Sequence, residues 1–239
     1  MQSLSIIIPA YNEQQRLPAT LAAVTAYLDA RGCAFAEILV VNDGSRDGTA
    51  DVAREAMARD PRIRLIENPG NRGKGYAVRH GMQEARGEWV LFTDADLSAP
   101  IEELDKLWHA AANADGAIGS RALDRSLIGV HQSAFRETSG KFFNLIMRLI
   151  TGLPYRDTQC GFKLFSHAAA AAVAARQRIE GFGFDVEILY IARKLGFRIL
   201  EVPVRWNNVE GTKVSMWNGL RAFLDPLEVR RNDWRGLYR

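Results

Sequence analysis

Short runs of apolar, β-branched residues alternate with segments of helical periodicity through the first half of the chain. The predicted strands are Leu4–Pro9, Ile38–Val41, Ile63–Ile66, Trp89–Thr93 and Ala117–Gly119. The predicted helices are Leu17–Ala30, Thr49–Arg59, Ala77–Ala85 and Ile101–Ala112. Because the strands lack polar alternation, both of their faces are expected to be buried. The rhythm therefore predicts an α/β fold with a doubly wound, mostly parallel sheet and helices on both faces.

The second half continues with fewer strands. Cys160–Phe165 and Ile199–Val204 are predicted strands, and a helix is predicted over Asp185–Leu195. A further helix is predicted to start with Asp225 as N-cap, ahead of Pro226. We expect one domain over residues 1–239 with three parts: a ligand-binding half (1–125), an acceptor half (126–215) and an amphipathic tail (216–239).

Composition limits the classes of function. The 239 residues are 47% hydrophobic and 25% charged, and a net charge of +3 with mixed signs argues against a nucleic-acid binder. Cys33 and Cys160 have no metal-binding spacing and suggest a reducing compartment. With no signal-peptide pattern and no apolar run of membrane-spanning length, the sequence predicts a soluble or peripheral protein.

Polar residues follow several predicted strands, where ligands bind in open α/β sheets. Pro9-Ala10-Tyr11-Asn12-Glu13, Asn42-Asp43-Gly44-Ser45 and Asp94-Ala95-Asp96 each end a strand, and Asn71-Arg72-Gly73-Lys74-Gly75 opens a helix. Four polar segments at one sheet edge predict a site for a large polar ligand.

Each segment also has a simpler interpretation. Asp94 and Asp96 can bind a divalent cation beside a phosphate, or form a turn before the next helix. Asp43 can accept a hydrogen bond from a nucleobase or belong to an Asp-Gly turn, and Glu13 can bind ribose or sit in the first turn of a helix. Taken singly, these segments leave both interpretations open.

The Arg72-Gly73-Lys74-Gly75 segment offers positive charge and backbone N–H groups to a phosphate or a base edge. It is not a Walker A loop, because Gly75 stands where that motif has Ser or Thr. No GxGxxG follows the first strand, which disfavours a dinucleotide dehydrogenase.

Taken together, and in this order and spacing, the segments resemble family-2 glycosyltransferases with the Rossmann-like GT-A fold over roughly the first 125 residues. The resemblance implies that Asp43 binds the nucleobase, Glu13 lies near the ribose, and Asp94 and Asp96 bind Mg²⁺ or Mn²⁺ and the diphosphate. The implied site for a nucleotide-sugar donor comprises Pro9, Tyr11, Glu13, Asp43, Arg72, Lys74, Asp94, Ala95 and Asp96.

The second half resembles the polyprenyl-phosphate branch of that family, and the dolichyl-phosphate glucosyltransferases most. The matching segments are Arg156-Asp157-Thr158-Gln159-Cys160-Gly161-Phe162-Lys163-Leu164-Phe165, Gly183-Phe184-Asp185-Val186-Glu187-Ile188-Leu189-Tyr190 and Glu210-Gly211-Thr212-Lys213. The resemblance implies inverting transfer of a hexose, glucose from UDP-glucose, onto a polyprenyl or dolichyl phosphate. It places Arg121, Arg136 and Ser139 at the acceptor phosphate and Lys213 in a loop over the diphosphate.

Some implied roles remain open. Asp185 is an active-site candidate that would be the general base for a hydroxyl acceptor, but with a phosphate acceptor could bind the sugar, orient Lys163 or cap its helix. Asn207 stands where mannosyl relatives carry Arg, which favours UDP-glucose over GDP-mannose. Ser98 replaces the Gln or His found near the metal in many relatives, so the third metal ligand is undetermined. The alternatives are a mannosyltransferase, a transferase acting on a polysaccharide hydroxyl, and a nucleotide-sugar-binding regulator without turnover.

Two apolar faces, over Phe142–Ile150 and Trp217–Leu227, suggest peripheral attachment to the cytoplasmic face of a membrane. The flanking cations Lys141, Arg148, Arg221, Arg230 and Arg231 would meet anionic headgroups. Core packing or a homo-oligomer interface would explain the same faces.

Overall fold

The computed structural model describes residues 3–129, 146–207 and 224–239. Its strands are β1 (Ser3–Ala10), β2 (Phe35–Asn42), β3 (Ile63–Glu67), β4 (Trp89–Thr93), β5 (Gly116–Ser120), β6 (Phe162–Ser166) and β7 (Ile199–Pro203). They form one seven-stranded sheet in the order β3-β2-β1-β4-β6-β5-β7. Only β6 runs against its neighbours β4 and β5 within this sheet. The predicted mostly parallel sheet is therefore confirmed.

Seven helices of the described residues are α1 (Leu17–Arg31), α2 (Thr49–Arg59), α3 (Lys74–Glu84), α4 (Leu104–Ala111), α5 (His167–Arg176), α6 (Phe184–Lys194) and α7 (Asp225–Trp234). Residues 146–151 are also helical, and short 3-10 turns cover Ile101–Glu103 and Arg125–Leu127. The helix predicted from Ile101 thus begins as a 3-10 turn. The Asp225 N-cap prediction was wrong by one residue: Leu224 is the N-cap, and Asp225 and Pro226 open the helix itself.

Local sequence explains several helix ends. Pro18 stands in the first turn of α1, where a missing N–H costs nothing, and Gly32 ends the helix with φ of 59° while its N–H donates to the carbonyl of Leu28. The Ser166 hydroxyl accepts a hydrogen bond from Ala169 N–H and caps α5.

Both faces of the sheet are covered. One core packs α3, α5 and α6 against residues such as Ile7, Leu39 and Phe92. The other packs α1 and α4 against residues of the opposite face, such as Ile6 and Ile8. This burial on both faces is why the strands show no polar alternation in sequence.

The strand order reverses beside β1. From β1 the chain winds outward to β2 and β3, and it then returns to place β4 on the other side of β1. Such a switch point leaves a crevice between the carboxyl ends of β1 and β4. Because β6 is antiparallel to β4, Gly161 at its start reaches the same edge.

Some sequence predictions lie outside the described residues. These include Arg136, Ser139 and Lys213, together with part of the Phe142–Ile150 face and most of the Trp217–Leu227 face. No helix in the described ranges combines the length and apolar character needed to cross a membrane.

Candidate active site

A cavity of about 390 Å³ opens at the β1–β4 switch point. Of the nine residues predicted for the donor, eight line it: Pro9, Tyr11, Glu13, Asp43, Lys74, Asp94, Ala95 and Asp96. Asn71, from the predicted polar segment 71–75, also lines the cavity. So do Arg16 and Phe182, which were not predicted to lie there. The parallel strands thus bring residues from four separate segments to one place.

Glu13 and Asp96 are joined by Arg16. The Arg16 guanidinium donates from Nε to Glu13 Oε2 at 2.6 Å and from the terminal NH2 nitrogen to Oε1 at 2.7 Å. The other terminal nitrogen of Arg16 lies 3.9 Å from Asp96 Oδ2. Sequence reasoning missed Arg16, although its i,i+3 spacing from Glu13 is a recognisable signal for an ion pair.

Asp94 pairs with Lys74 across the cavity. The Nζ of Lys74 lies 2.5 Å from Asp94 Oδ1. Burial opposes the charged form of Lys74, but the carboxylates of Asp94 and Asp185 outweigh it and raise its pKa. Gly161 lies against the other side of Asp94: a Cβ there would come within 2.1 Å of Asp94 Oδ2. Only glycine at position 161 leaves Asp94 its present position.

The Asp94-Ala95-Asp96 segment forms a tight turn. Leu97 N–H donates to the carbonyl of Asp94 at 3.1 Å, and Ser98 N–H donates to Asp96 Oδ1 at 2.9 Å. Leu97 has φ of 47°, an unfavourable conformation for a leucine, which is the kind of local strain that concentrates at functional sites. The turn and site interpretations of the sequence are therefore compatible here, since the turn directs both aspartates to the cavity.

The donor atoms at this place suit a hard divalent cation. Asp94 and Asp96 contribute carboxylate oxygens to one cavity, and no group of three His, Cys, Asp or Glu residues arranged for a metal occurs within the described ranges. Mg²⁺ and Mn²⁺ are commonly held by one or two carboxylates, with substrate phosphate and water completing the coordination. The residues fit a cation that binds together with a diphosphate.

Ser98 and Asn207 meet behind this turn. The backbone N–H of Asn207 donates to the carbonyl of Ser98 at 2.8 Å, and Ser98 is buried. The two positions that the sequence resemblance singled out, one near the metal and one bearing on donor choice, are thus neighbours.

Asp43 is buried at the end of β2 and holds the loop that opens α3. Its Oδ1 accepts from Asn68 Nδ2 at 2.8 Å, and its Oδ2 accepts from the backbone N–H of Gly73 at 2.7 Å. Arg72 N–H is shared between the two oxygens at 3.1 and 3.2 Å. Asp43 therefore orders the loop and also lines the cavity.

The Arg72 side chain is directed elsewhere. Its NH2 nitrogen lies 2.6 Å from Glu180 Oε1, and its guanidinium stacks over the Tyr76 ring at 4.6 Å. Arg72 is the one predicted donor residue that does not line the cavity. Its part in donor binding remains a prediction.

Asp185 lies in the first turn of α6 and forms a buried ion pair with Lys163 of β6. The Lys163 ammonium also donates to the carbonyl of Cys160 at 2.6 Å and lies 5.0 Å from the Phe92 ring centroid. Burial raises the pKa of Asp185, although Lys163 and Lys74 act in the opposite direction. The geometry favours orientation of Lys163 among the roles considered for Asp185.

Arg121 is held by Asp157. Its Nε and NH2 nitrogens lie 2.7 and 2.8 Å from the two carboxylate oxygens, and the guanidinium stacks over Trp206 at 4.8 Å. Burial works against the charge on Asp157, but Arg121 outweighs it and lowers the carboxyl pKa. The third guanidinium nitrogen, NH1, has no carboxylate partner within the described residues, so Arg121 can still contact an anion.

A larger cavity of about 680 Å³ lies between α1 and α2. It reaches the loop before β3 and therefore lies away from the carboxyl edge of the sheet. Its charged residues include Arg62, which is already paired with Asp29 and Asp60. We assign the functional site to the smaller cavity, where the polar strand ends converge.

The chain resembles known glycosyltransferases in sequence. The family profile described as "Glycosyl transferase family 2" matches residues 5–173. The chain is 40% identical over 237 residues to dolichyl-phosphate beta-glucosyltransferase of Drosophila melanogaster, covering 93% of this chain and 72% of the relative. It is 36% identical over 253 residues to the Homo sapiens protein of the same name, covering 100% and 78%.

The fold is also found among solved structures. Glucosyl-3-phosphoglycerate synthase from Mycobacterium tuberculosis, in complex with Mn²⁺, UDP-glucose and phosphoglyceric acid, superposes with a TM-score of 0.69. The match covers 95% of this chain and 79% of the other at 15% identity, so it establishes a shared fold.

Proposed function

The chain belongs to glycosyltransferase family 2, and from this premise we propose that it transfers glucose from UDP-glucose to a polyprenyl or dolichyl phosphate with inversion. The observation that carries the proposal is the convergence of Asp43, Lys74, Asp94 and Asp96 in one cavity at the sheet edge. The names of the two relatives support glucose as the sugar and a dolichyl phosphate as the acceptor.

In this proposal the donor lies across the β1–β4 crevice. Asp43, with Asn68 behind it, accepts an N–H group of the nucleobase, and Glu13 binds the ribose hydroxyls while Arg16 fixes its orientation. Pro9, Tyr11 and Ala95 form the walls. Lys74, and Arg72 if its pairing with Glu180 opens, contribute positive charge near the diphosphate.

Asp94 and Asp96 would hold Mg²⁺ or Mn²⁺, which when bound stabilises the negative charge of the leaving diphosphate. The solved relative in fold that contains Mn²⁺ with UDP-glucose supports this assignment. Gly161 and Lys74 keep the Asp94 carboxylate in place, and Arg16 does the same for Asp96. Lys213, which lies outside the described residues, is proposed to approach the same diphosphate.

The acceptor needs positioning more than activation. A phosphate monoester has a second pKa of about 6 and is largely ionised at neutral pH, so it can attack without a general base. Arg121, fixed by Asp157, is proposed to hold this phosphate together with Arg136 and Ser139, which lie outside the described residues. Asp185 is then proposed to act through Lys163.

We further propose peripheral attachment to the cytoplasmic face of a membrane. Leu149, Leu227 and Trp234 are exposed by 76, 52 and 78%, so core packing does not account for them. Arg148 and Arg231 are exposed close to them in sequence and would meet anionic lipid headgroups. Residues 146–151 and α7 carry these side chains, and a contact between two copies of the chain is the competing explanation.

The test is transfer of radiolabelled glucose. The protein is incubated with labelled UDP-glucose, dolichyl phosphate and Mn²⁺. The expected product extracts into organic solvent and releases glucose in mild acid. Label that appears only in a polysaccharide fraction would instead support a hydroxyl acceptor, and label transferred from GDP-mannose alone would support a mannosyltransferase. Nucleotide-sugar binding without any transfer would support a regulator.

A further inference from the structure

Glu187 of α6 is completely buried and accepts three hydrogen bonds. Its Oε1 accepts from Arg178 N–H at 3.0 Å and from the Tyr238 hydroxyl at 2.5 Å, and its Oε2 accepts from Ile179 N–H at 2.8 Å. Burial raises the pKa of Glu187, while these donors favour its ionised form. The carboxylate thus joins Tyr238, which follows α7, to the segment 178–183 between α5 and α6.

The segment 178–183 packs directly on the start of α3 and on the loop that opens it (residues 71–75). The Glu180 carbonyl accepts from Tyr76 N–H at 3.2 Å, and the Gln177 side chain donates to the carbonyls of Gly75 and Ile179 at 2.8 and 3.2 Å. The approach is so close that a Cβ on Gly75 would come within 2.5 Å of the Ile179 carbonyl oxygen. A displacement of segment 178–183 would therefore displace the start of α3.

The same segment contributes Phe182 to the cavity wall. Phe182 stands between Gly181 and Gly183 and is 42% exposed beside the aspartates and Lys74. Glu180 ties the segment to α3 a second time through its ion pairs with Arg72 and Arg79. The position of this cavity wall therefore depends on the contacts that hold segment 178–183 on its side away from the cavity, which include the hydrogen bonds to Glu187.

We propose that Glu187 and Tyr238 are positioning residues for the donor site. Together they hold segment 178–183, and through it Phe182 and the Gly73–Gly75 backbone, in the geometry that binds the nucleotide sugar. Neither residue lines the cavity, so their effect on the reaction passes through the segment. This inference rests on the proposed function, because it assigns a nucleotide-sugar to the cavity.

Tyr238→Phe tests the inference, and Tyr190→Phe is its matched control. Tyr190 packs against Tyr238 with ring centroids 6.1 Å apart, but its hydroxyl donates to Asp233 of α7 and not to the segment. Both variants lose one hydroxyl from the same interface. Tyr238→Phe is expected to raise the KM for UDP-glucose about tenfold with kcat within about twofold of wild type, the size expected for one lost hydrogen bond to a charged group.

Amide hydrogen exchange provides the direct readout. Tyr238→Phe is expected to accelerate exchange at Arg178 and Ile179, and Tyr190→Phe is expected to leave both amides and the donor KM as in wild type. Equal KM values and equal exchange at these amides in the two variants would overturn the inference. If Tyr238→Phe does not fold, the isosteric Glu187→Gln is held to the same criteria, since it leaves one of the two amides facing an N–H group.

The wild-type protein separates this inference from the proposed function. If wild type neither binds nor uses UDP-glucose, the proposed function fails, and the inference fails with it. If wild type transfers glucose and Tyr238→Phe behaves like Tyr190→Phe, the inference alone fails.

Discussion

The ammonium group of Lys74 lies 2.5 Å from a carboxylate oxygen of Asp94, at the start of α3 and just beyond the end of β4. This pair puts a positive charge beside the aspartate assigned to the metal and the diphosphate. Lys74 neutralises Asp94 in the absence of a donor, and it is positioned to meet the added negative charge when a diphosphate enters. The two residues thus link the loop that opens α3 to the Asp94–Asp96 turn.

Lys74→Met is expected to lower kcat/KM for glucose transfer about a hundredfold, the size typical for loss of one group that stabilises developing charge. The same change should tighten binding of Mn²⁺ alone, because a cation that repels the metal is removed from Asp94. Steady-state kinetics and Mn²⁺ titration measure the two effects. Lys106→Met is the matched control, since Lys106 pairs with Glu103 at 2.6 Å outside the cavity. Equal losses in both variants would argue against the proposed role of Lys74.

Asp96→Asn is expected to abolish the stabilisation that UDP and Mn²⁺ together give to the protein, because a carboxylate ligand is replaced by a neutral amide. Wild type should show a clear rise in melting temperature with both ligands and a smaller one with UDP alone. Thermal-shift titration measures the difference, with the exposed Asp51→Asn as control. Full Mn²⁺-dependent stabilisation in Asp96→Asn would contradict the assignment of Asp96 as a metal ligand.

Gly161→Ala is expected to reduce glucose transfer about a hundredfold, because the new Cβ would stand 2.1 Å from Asp94 Oδ2 and must displace that carboxylate. Gly181→Ala is the matched control, because Gly181 precedes the cavity residue Phe182. A Cβ at position 181 would have no heavy atom within 4 Å, so this variant should retain activity. Enzyme assays and circular dichroism distinguish a displaced carboxylate from general unfolding. Normal activity in Gly161→Ala would show that the position of Asp94 is not critical.

Asp157→Asn is expected to lower the free energy of unfolding by about 3 kcal/mol at pH 7, because it leaves the Arg121 guanidinium without its buried carboxylate partner. The folded protein lowers the pKa of Asp157, so its contribution is fully present above the unfolded value of about 3.9 and is lost as pH falls through the lowered folded pKa. The difference in the free energy of unfolding between wild type and Asp157→Asn should therefore narrow only in acid. Urea denaturation at several pH values measures it.

The exposed Asp124→Asn serves as the control for this experiment. The pKa of Asp124 is also lowered, chiefly by Ser126, but the residue stands in solvent and its replacement should change stability little. The expected pH dependence would be contradicted if the difference in the free energy of unfolding between wild type and Asp157→Asn stayed constant down to the most acid pH at which both proteins fold.

Much of the fold could be predicted from sequence because its pattern is local. Strands buried on both faces appear as continuous apolar runs, and Val40 and Val41 illustrate this in β2. Element ends were less predictable: α3 begins at Lys74, three residues before the predicted start, because Asp43 and Glu180 of distant segments hold its first turn. The N-cap of α7 is Leu224 and not the predicted Asp225. Leucine is not a preferred N-cap residue, so the sequence gives no signal for this boundary.

The sequence by itself determined which chemistry meets at the sheet edge. Parallel strands end at one edge, so acidic residues after β1, β2 and β4 had to converge, and Glu13, Asp43, Asp94 and Asp96 do line one cavity. Only the tertiary structure decided how the charges pair. Arg72 turns from the cavity to Glu180, 108 residues away, and Lys163 meets Asp185 in the core. Such pairs depend on which side chains packing brings within a few ångströms, and no local periodicity encodes that distance.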